Sequence, residues 1–441
     1  MMASVFDELS NSEEIIRIDR LEIDLGELSE KEMNESAWQG AILDAIRKQL
    51  YEKLSERQKS PWIVREASII STCRQWLFYM QKGYLPWNAT EVNDAWYKVV
   101  LETLAVDYAS VTELKRMIKN DPVVSQRIVM QHRIDFLVKL IEILTAHSHQ
   151  NLPAIVAVLD KMVSRIKVSG LVGNETMDGT QRIWLLLVRE VTASERQLNS
   201  QGLVERILRR YWRVDPNLHI PEKENALVRD IILPIIDRLK KEADQSSPAF
   251  SEKDTNAKEL KDDKRKEINK IENIDQGIYL QNAGVVLLHP FLPSLFRRFQ
   301  LVKEGKFENI QAQQKALYVI HYMATGRMAA EEYELPIAKV LCDWRLEVPV
   351  DKNLMLSSDE LNETDAMIAA AIEQWAVLKN TSVAGLREGF LQRSGKLYTE
   401  NEKLYLRVEE QSIDVLLDQL PWVLSMIKLP WMKELLRVEW R

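Results

Sequence analysis

The chain has 441 residues, 46% of them hydrophobic and 28% charged. That is room for about two or three domains with sizeable cores. A net charge of −7 argues against a general nucleic-acid-binding face. The two cysteines, Cys73 and Cys342, lie too far apart for a disulfide framework or a CxxC-type zinc site. They read as small buried hydrophobes in a reducing compartment.

The start, Met1 to Glu8, lacks the basic region and apolar run of a signal peptide. From Ile15 to Gly26 apolar residues alternate, at Ile16 and Ile18 and then at Leu21, Ile23 and Leu25. Period two predicts a half-buried strand, and the slip at Asp19-Arg20 predicts a bulge or bend. From about Glu30 to Arg57, Met33, Ala37, Ile42, Ala45, Ile46 and Leu50 suit one helix face. Ser60-Pro61 should end that helix.

From Glu66 to about Lys241 the pattern is helical. Segments near 66–82, 91–104, 111–119, 124–146, 152–167, 180–190, 201–212 and 224–241 are punctuated by glycines and prolines. Thr90 is the expected N-cap of the second, with Glu91 in its first turn; Asn93 stands where a capping box would need Glu or Gln. The longest apolar runs, such as Ile183 to Val188 between Arg182 and Arg189, are short. None approaches the ~18 residues of a membrane span.

At about Glu242 the composition changes. The stretch to 276 mixes charges of both signs, offers little to bury and predicts a flexible linker, or failing that a solvated helix. Beyond it, Val285 to Leu292 reads as a buried apolar segment, followed by helices from Asn309 to Thr325 and from Glu360 to Leu378. Gly389–Tyr398 and Lys403–Glu409 predict a hairpin across the turn 399–402. A short helix, Ser412–Gln419, and extended pieces at Trp422–Leu429 and Leu435–Trp440 complete the pattern. The expected fold is mainly α. It comprises a strand plus helix (1–62), a helical domain (63–241), the charged linker (242–276) and an α+β domain with a small antiparallel sheet (277–441). The early strand is a possible partner for that sheet.

No constellation of catalytic residues stands out. Gly385-Leu386-Arg387-Glu388-Gly389 and Arg393-Ser394-Gly395-Lys396 lack the strand–loop–helix setting of a phosphate loop, since Lys396 falls in a hairpin strand. His147 and His149, two apart, point to different helix faces and read as exposed helix-end residues rather than a metal pair. His132, His219, His289 and His321 have no nucleophile beside them, and His321 should pack in its helix beside Tyr322. Glu22 and Asp24 share a strand face, which reads as the solvent side of that strand. Neither a cofactor nor a metal is expected.

Tryptophan is more informative. Leu85-Pro86-Trp87, Leu420-Pro421-Trp422 and Leu429-Pro430-Trp431 each couple a rigid backbone to a large amphipathic ring. Such a ring either anchors the core at a turn or anchors a partner, where Trp and Arg dominate. Trp87, Trp422, Trp431, Trp440 and Arg393 are the partner-binding candidates.

The chain resembles the contractile injection system tape measure proteins, found with extracellular phage-tail-like particles of bacteria. The resemblance rests on Ile18 to Gly26, Gly83 to Trp87, Asn282 to Leu292, His321 to Gly326 and Leu378 to Ser382 with Gly385-Leu386-Arg387. It continues through Phe390 to Leu397 and Leu420-Pro421-Trp422, then Leu429-Pro430-Trp431 to Glu439-Trp440. It implies a structural, non-enzymatic role in fixing tail-tube length, through contacts with tube and baseplate hub or spike proteins. Neither nucleic acid nor membrane is an expected partner, and the oligomeric state is open. The alternative is a cytoplasmic assembly chaperone for tube or hub subunits, absent from the mature particle. Assembly is expected in the cytoplasm, with carriage inside the tube of a released particle as a later fate.

Overall fold

A computed structural model describes residues 14–18, 42–43, 45–50, 63–89, 92–163, 177–193, 199–211, 228–245 and 277–441. Within that set the protein is mainly helical, with a five-stranded sheet in its last third. It divides into two compact units. One draws on Met1–Trp76 and Glu91–Ser110, the other on Leu77–Thr90 and Val111–Arg441.

In the first unit, β1 (Glu14–Ile18) pairs antiparallel with β2 (Ile63–Ala67), Glu14 opposite Ala67 and Ile18 opposite Ile63. This corrects the expectation that the early strand joins the C-terminal sheet. β2 is five residues long and runs straight into α1 (Ser68–Lys82), so its signal is absorbed in the helical pattern that follows. The bulge at Asp19-Arg20 and the carboxylates Glu22 and Asp24 lie outside the described residues. Residues 45–50 are helical, and Ile46 and Leu50 are buried one turn apart with Ile42 against them.

The next helix, α2 (Asp94–Val106), is capped by Asn93, whose side chain accepts the Trp96 N–H at 3.0 Å. The cap is therefore Asn93 and not Thr90, which lies outside the described residues. The residue that spoils a box at Thr90 is itself one of the preferred capping types. Trp96 Nε1 donates to Gln75 at 3.4 Å, tying α2 to α1.

Helices α3 (Tyr108–Asn120), α4 (Pro122–Gln131), α5 (Ile134–Thr145), α6 (Leu152–Val163), α7 (Gly179–Ala193) and α8 (Ser200–Tyr211) follow. A π-turn at Val228–Ile232 leads into α9 (Leu233–Gln245), so Glu242 to Gln245 continue a helix. Residues 246–276 lie outside the described set. The single helix expected over 124–146 is two. His132 and Arg133 adopt extended backbone between them. Nδ1 of His132 donates to the Ile128 carbonyl at 2.8 Å and its ring stacks on Phe136 at 4.1 Å. A side chain thus occupies a carbonyl that the next helical turn would have used. Helix α7, buried over Ile183 to Val188, packs against α4, α5, α6 and α8 and is the centre of this part.

The C-terminal part opens with β3 (Ile278–Leu280) and a 3-10 helix, Ala283–Phe291, which is buried from Ala283 to Leu288. Then come α10 (Leu292–Arg298), the β4–β5 ribbon (Val302–Lys303, Lys306–Phe307), α11 (Ile310–Thr325), α12 (Pro336–Leu341) and α13 (Ser358–Gln374). Asn309 caps α11 and Gly326, at φ 71°, ends it. α14 (Val383–Leu386) runs into a π-turn, Arg387–Leu391, so the first hairpin strand begins at Gly395, not at Gly389.

β6 (Gly395–Glu400) and β7 (Lys403–Val408) pair antiparallel around Asn401 and Glu402, both with positive φ. This is the two-residue primed turn that suits the twist of a hairpin. Beyond the 3-10 helix Ser412–Gln419, only Met426–Ile427 of the piece 422–429 forms a strand, β8, and Leu436–Glu439 forms β9. The sheet order is β3-β6-β7-β9-β8. β7 and β9 run parallel, so the sheet is mixed rather than antiparallel as expected.

Candidate functional site

The Gly83-Tyr84-Leu85-Pro86-Trp87 segment leaves the end of α1 over a buried group of charges. Gly83, at φ 82°, donates to the Tyr79 carbonyl at 2.8 Å and ends the helix in the left-handed region. A Cβ there would lie 2.9 Å from both Arg127 Nη2 and Glu332 Oε1, so the close approach requires glycine as much as the turn does.

Beneath it Arg127 and Glu332 pair at 3.0 Å with both side chains wholly inaccessible. Arg127 Nη1 donates to the carbonyls of Met80 (2.5 Å) and Gln81 (3.1 Å), and Nη2 donates to that of Glu347. Met80 and Gln81 belong to the last turn of α1, the negative end of its dipole, where a guanidinium is favoured. Lys339 Nζ donates to Glu332 at 2.7 Å and to the carbonyls of Leu346 and Val348 at 2.9 and 3.0 Å. Burial pulls its pKa down, and the Glu332 carboxylate opposes the shift.

Around this group, Gln131 Nε2 donates to the Val350 carbonyl at 2.7 Å. An open cleft of about 660 Å³ lies nearby, lined among others by His132, Asp178, Gln181, Trp184 and Lys352. Sequence reasoning missed Arg127, Glu332 and Lys339. The signal was there for two of them: a single charge set within a mainly apolar stretch, Val123 to Met130 and Ile337 to Leu341.

The predicted partner-binding residues fall in different settings. Trp87 is 69% exposed. Trp422 is half-buried; its Nε1 donates to the Leu287 carbonyl at 2.9 Å and its ring meets Phe291 edge-on. Trp431 is buried against Phe296 and Phe307 and donates to the Leu341 carbonyl at 2.8 Å. Trp440 and Arg393 are buried and converge on Asp414, donating at 3.0 and 2.6 Å to its two oxygens. Trp440 and Arg393 therefore meet, whereas Trp87 stands away on the surface.

His149 corrects the reading of exposed helix-end histidines. It is fully buried, with Nε2 against Thr145 Oγ1 and Nδ1 against Ser200 Oγ, each at 2.8 Å. It joins the end of α5 to the start of α8. His321 packs beside Tyr322 in α11 as expected, and both cysteines are buried. Lys396 lies in β6, which leaves no phosphate-loop geometry there.

His321 has a consequence for acid stability. Neither ring nitrogen meets a partner in good hydrogen-bond geometry. Burial pushes its pKa down to about 4, against the pull of Glu334 and with a smaller push from Arg327. Burial likewise takes His132 down to about 3. Both are neutral in the folded protein at pH 7, whereas an unfolded histidine titrates near 6.5. The unfolded chain therefore binds more protons, and stability is complete above that value and falls as pH drops from 6.5 toward 4. At about 1.4 kcal/mol per pKa unit, the loss by pH 4 is about 3 kcal/mol for each of the two histidines. Thermal melts across this range should show the fall, and His321→Gln should flatten it. A wild-type melting temperature unchanged from neutral pH to about 5 would refute the account.

A family model described as contractile injection system tape measure protein matches residues 1–440. The chain belongs to this family. No curated protein and no solved structure matches it. Membership of the tape measure family makes it a structural component of a contractile injection system, implies association with a tail tube and implies no enzyme activity. Among the described residues no helix is long and apolar enough to cross a membrane.

Proposed function

We propose that this tape measure protein sets or templates tube length as a folded body that contacts tube and baseplate hub or spike subunits, and not as one fully extended helix. A continuous helix of the whole chain would reach roughly 660 Å at ~1.5 Å per residue. The buried Arg127–Glu332–Lys339 group carries the reading. It joins the end of α1, α4 and the 332–348 segment in one packed core. Drawing the chain out straight would give up these mutually satisfied contacts and the apolar core of the C-terminal part, with nothing in the extended chain to replace that burial.

In this scheme the helical part and the C-terminal part form the body, held to one another through the Arg127 group, and residues 246–276 connect them along the chain. Trp87 is the side chain best placed to meet a partner, because a large exposed ring gains most from being covered. Assembly takes place in the cytoplasm, and the protein stays with the particle.

Electron microscopy of particles from strains with deletions inside 243–274 tests the scheme. Particle length should stay the same, while Trp87→Ala should impair assembly without lowering the melting temperature. Tubes shortened in proportion to the deletion would show that the segment is a ruler and overturn the folded-body reading. Mass spectrometry of purified particles should find the protein at low copy. Its absence would favour the chaperone alternative.

A further inference from the structure

The five-stranded sheet covers its core with one face only. On the other face the strand register lines up Tyr279 opposite Lys396, Lys396 opposite Arg407, Tyr398 opposite Tyr405, Tyr405 opposite Arg437 and Glu400 opposite Lys403. Tyr279 is 52% exposed, Met426 at the far edge 58%, and the Arg407 side chain 65%.

These side chains are ordered against one another. The Tyr398 and Tyr405 rings stack at 5.4 Å. Lys396 lies over Tyr279 at 5.5 Å, Arg407 over Tyr398 at 5.5 Å and Arg437 over Tyr405 at 5.8 Å. The charge is lopsided: Lys396, Lys403, Arg407 and Arg437 face Glu400 and Glu439 on a protein of net charge −7. Arg407 is paired with Glu439 at 2.8 Å. Lys396, Lys403 and Arg437 form no ion pair among the described residues, and the first and last are held in place by the tyrosines beneath them.

We infer that this open sheet face is a docking surface for an acidic, extended segment of a partner protein. Cations fixed over aromatic rings are preorganised for carboxylates, and the stacked tyrosines offer rigid amphipathic area between them. Glu400 and Glu439 sit among the cations and would repel a phosphate backbone. A peptide segment with spaced carboxylates avoids them and can donate its backbone N–H groups to them. The inference rests on the reading that the protein works through protein contacts, but not on any measurement of length.

The test uses the full-length protein and a synthetic peptide of alternating glutamate and serine, with oligothymidylate as the competing probe. The peptide should bind in a salt-dependent manner, and carbodiimide coupling should join its carboxylates to Lys396 or Lys403. The triple variant Lys396→Glu/Lys403→Glu/Arg437→Glu should bind it about tenfold more weakly or worse, with an unchanged thermal melt. Should that variant fail to fold, Lys403→Glu alone, at an exposed position, should still weaken binding measurably. Equal binding by the variants, coupling only at lysines elsewhere, or tighter capture of oligothymidylate that the same variants abolish would each overturn the inference. None of these results bears on particle length, so the two proposals fail separately.

Discussion

Arg127→Ala is expected to destabilise the protein by about 3–5 kcal/mol, the usual cost of removing one partner from a buried ion pair. The substitution leaves Glu332 inaccessible with Lys339 as its remaining cation, and it strips donors from the carbonyls of Met80, Gln81 and Glu347. Each stranded acceptor adds its own desolvation penalty. Denaturant unfolding followed by tryptophan fluorescence reads the effect. A double-mutant cycle with Glu332→Gln separates the pair from its surroundings, with an expected coupling of about 1–3 kcal/mol. Additive single and double variants would mean that the two side chains do not act together in the fold.

Gly284→Ala should be at least as damaging, at about 4 kcal/mol or more, because no side-chain adjustment can relieve it. A Cβ on Gly284 would lie 1.7 Å from the Phe390 carbonyl oxygen and 2.8 Å from its carbon, so two backbone segments would have to part. That would open the contact between the 3-10 helix Ala283–Phe291 and the π-turn Arg387–Leu391, near the middle of the C-terminal core. Gly389→Ala, in the same π-turn, is the control. Its nearest neighbour would be Ile413 Cδ1 at 4.0 Å, so it should be neutral or stabilise by about 0.5–1 kcal/mol. Soluble yield and melting temperature distinguish the two, and equal behaviour of both glycines would refute the packing argument.

Much of the helical framework could be read from the sequence because its signals are local. The apolar period of α7, the Asn309 and Gly326 ends of α11 and the hairpin strands β6 and β7 each depend on residues within a few positions of one another. What the sequence hid depends on residues far apart. β2 is too short to announce itself beside α1, and nothing local tells β9 to run parallel to β7. His149 looks like an exposed helix-end residue until Ser200, in another helix, closes over it. The same holds for the proposed contact surfaces. The Pro-Trp motifs drew attention to Trp422 and Trp431, whose indole N–H groups are used inside the fold. The open sheet face became visible only once the register brought its tyrosines and cations together, and the Arg127 group only once Glu332 lay beside it.

The placement of β9 between β7 and β8 has a bearing on how the protein is made. The sheet pairs segments distant along the chain, β3 with β6 and β9 with β7, which raises contact order and slows folding. Until residues 436–439 emerge from the ribosome, the hydrogen-bonding edge of β7 stays open and Leu404 and Leu406 lack their cover. A nascent chain in that condition is prone to pair with another copy of itself. Slow, sparse synthesis therefore favours this fold, because it gives each sheet time to close alone.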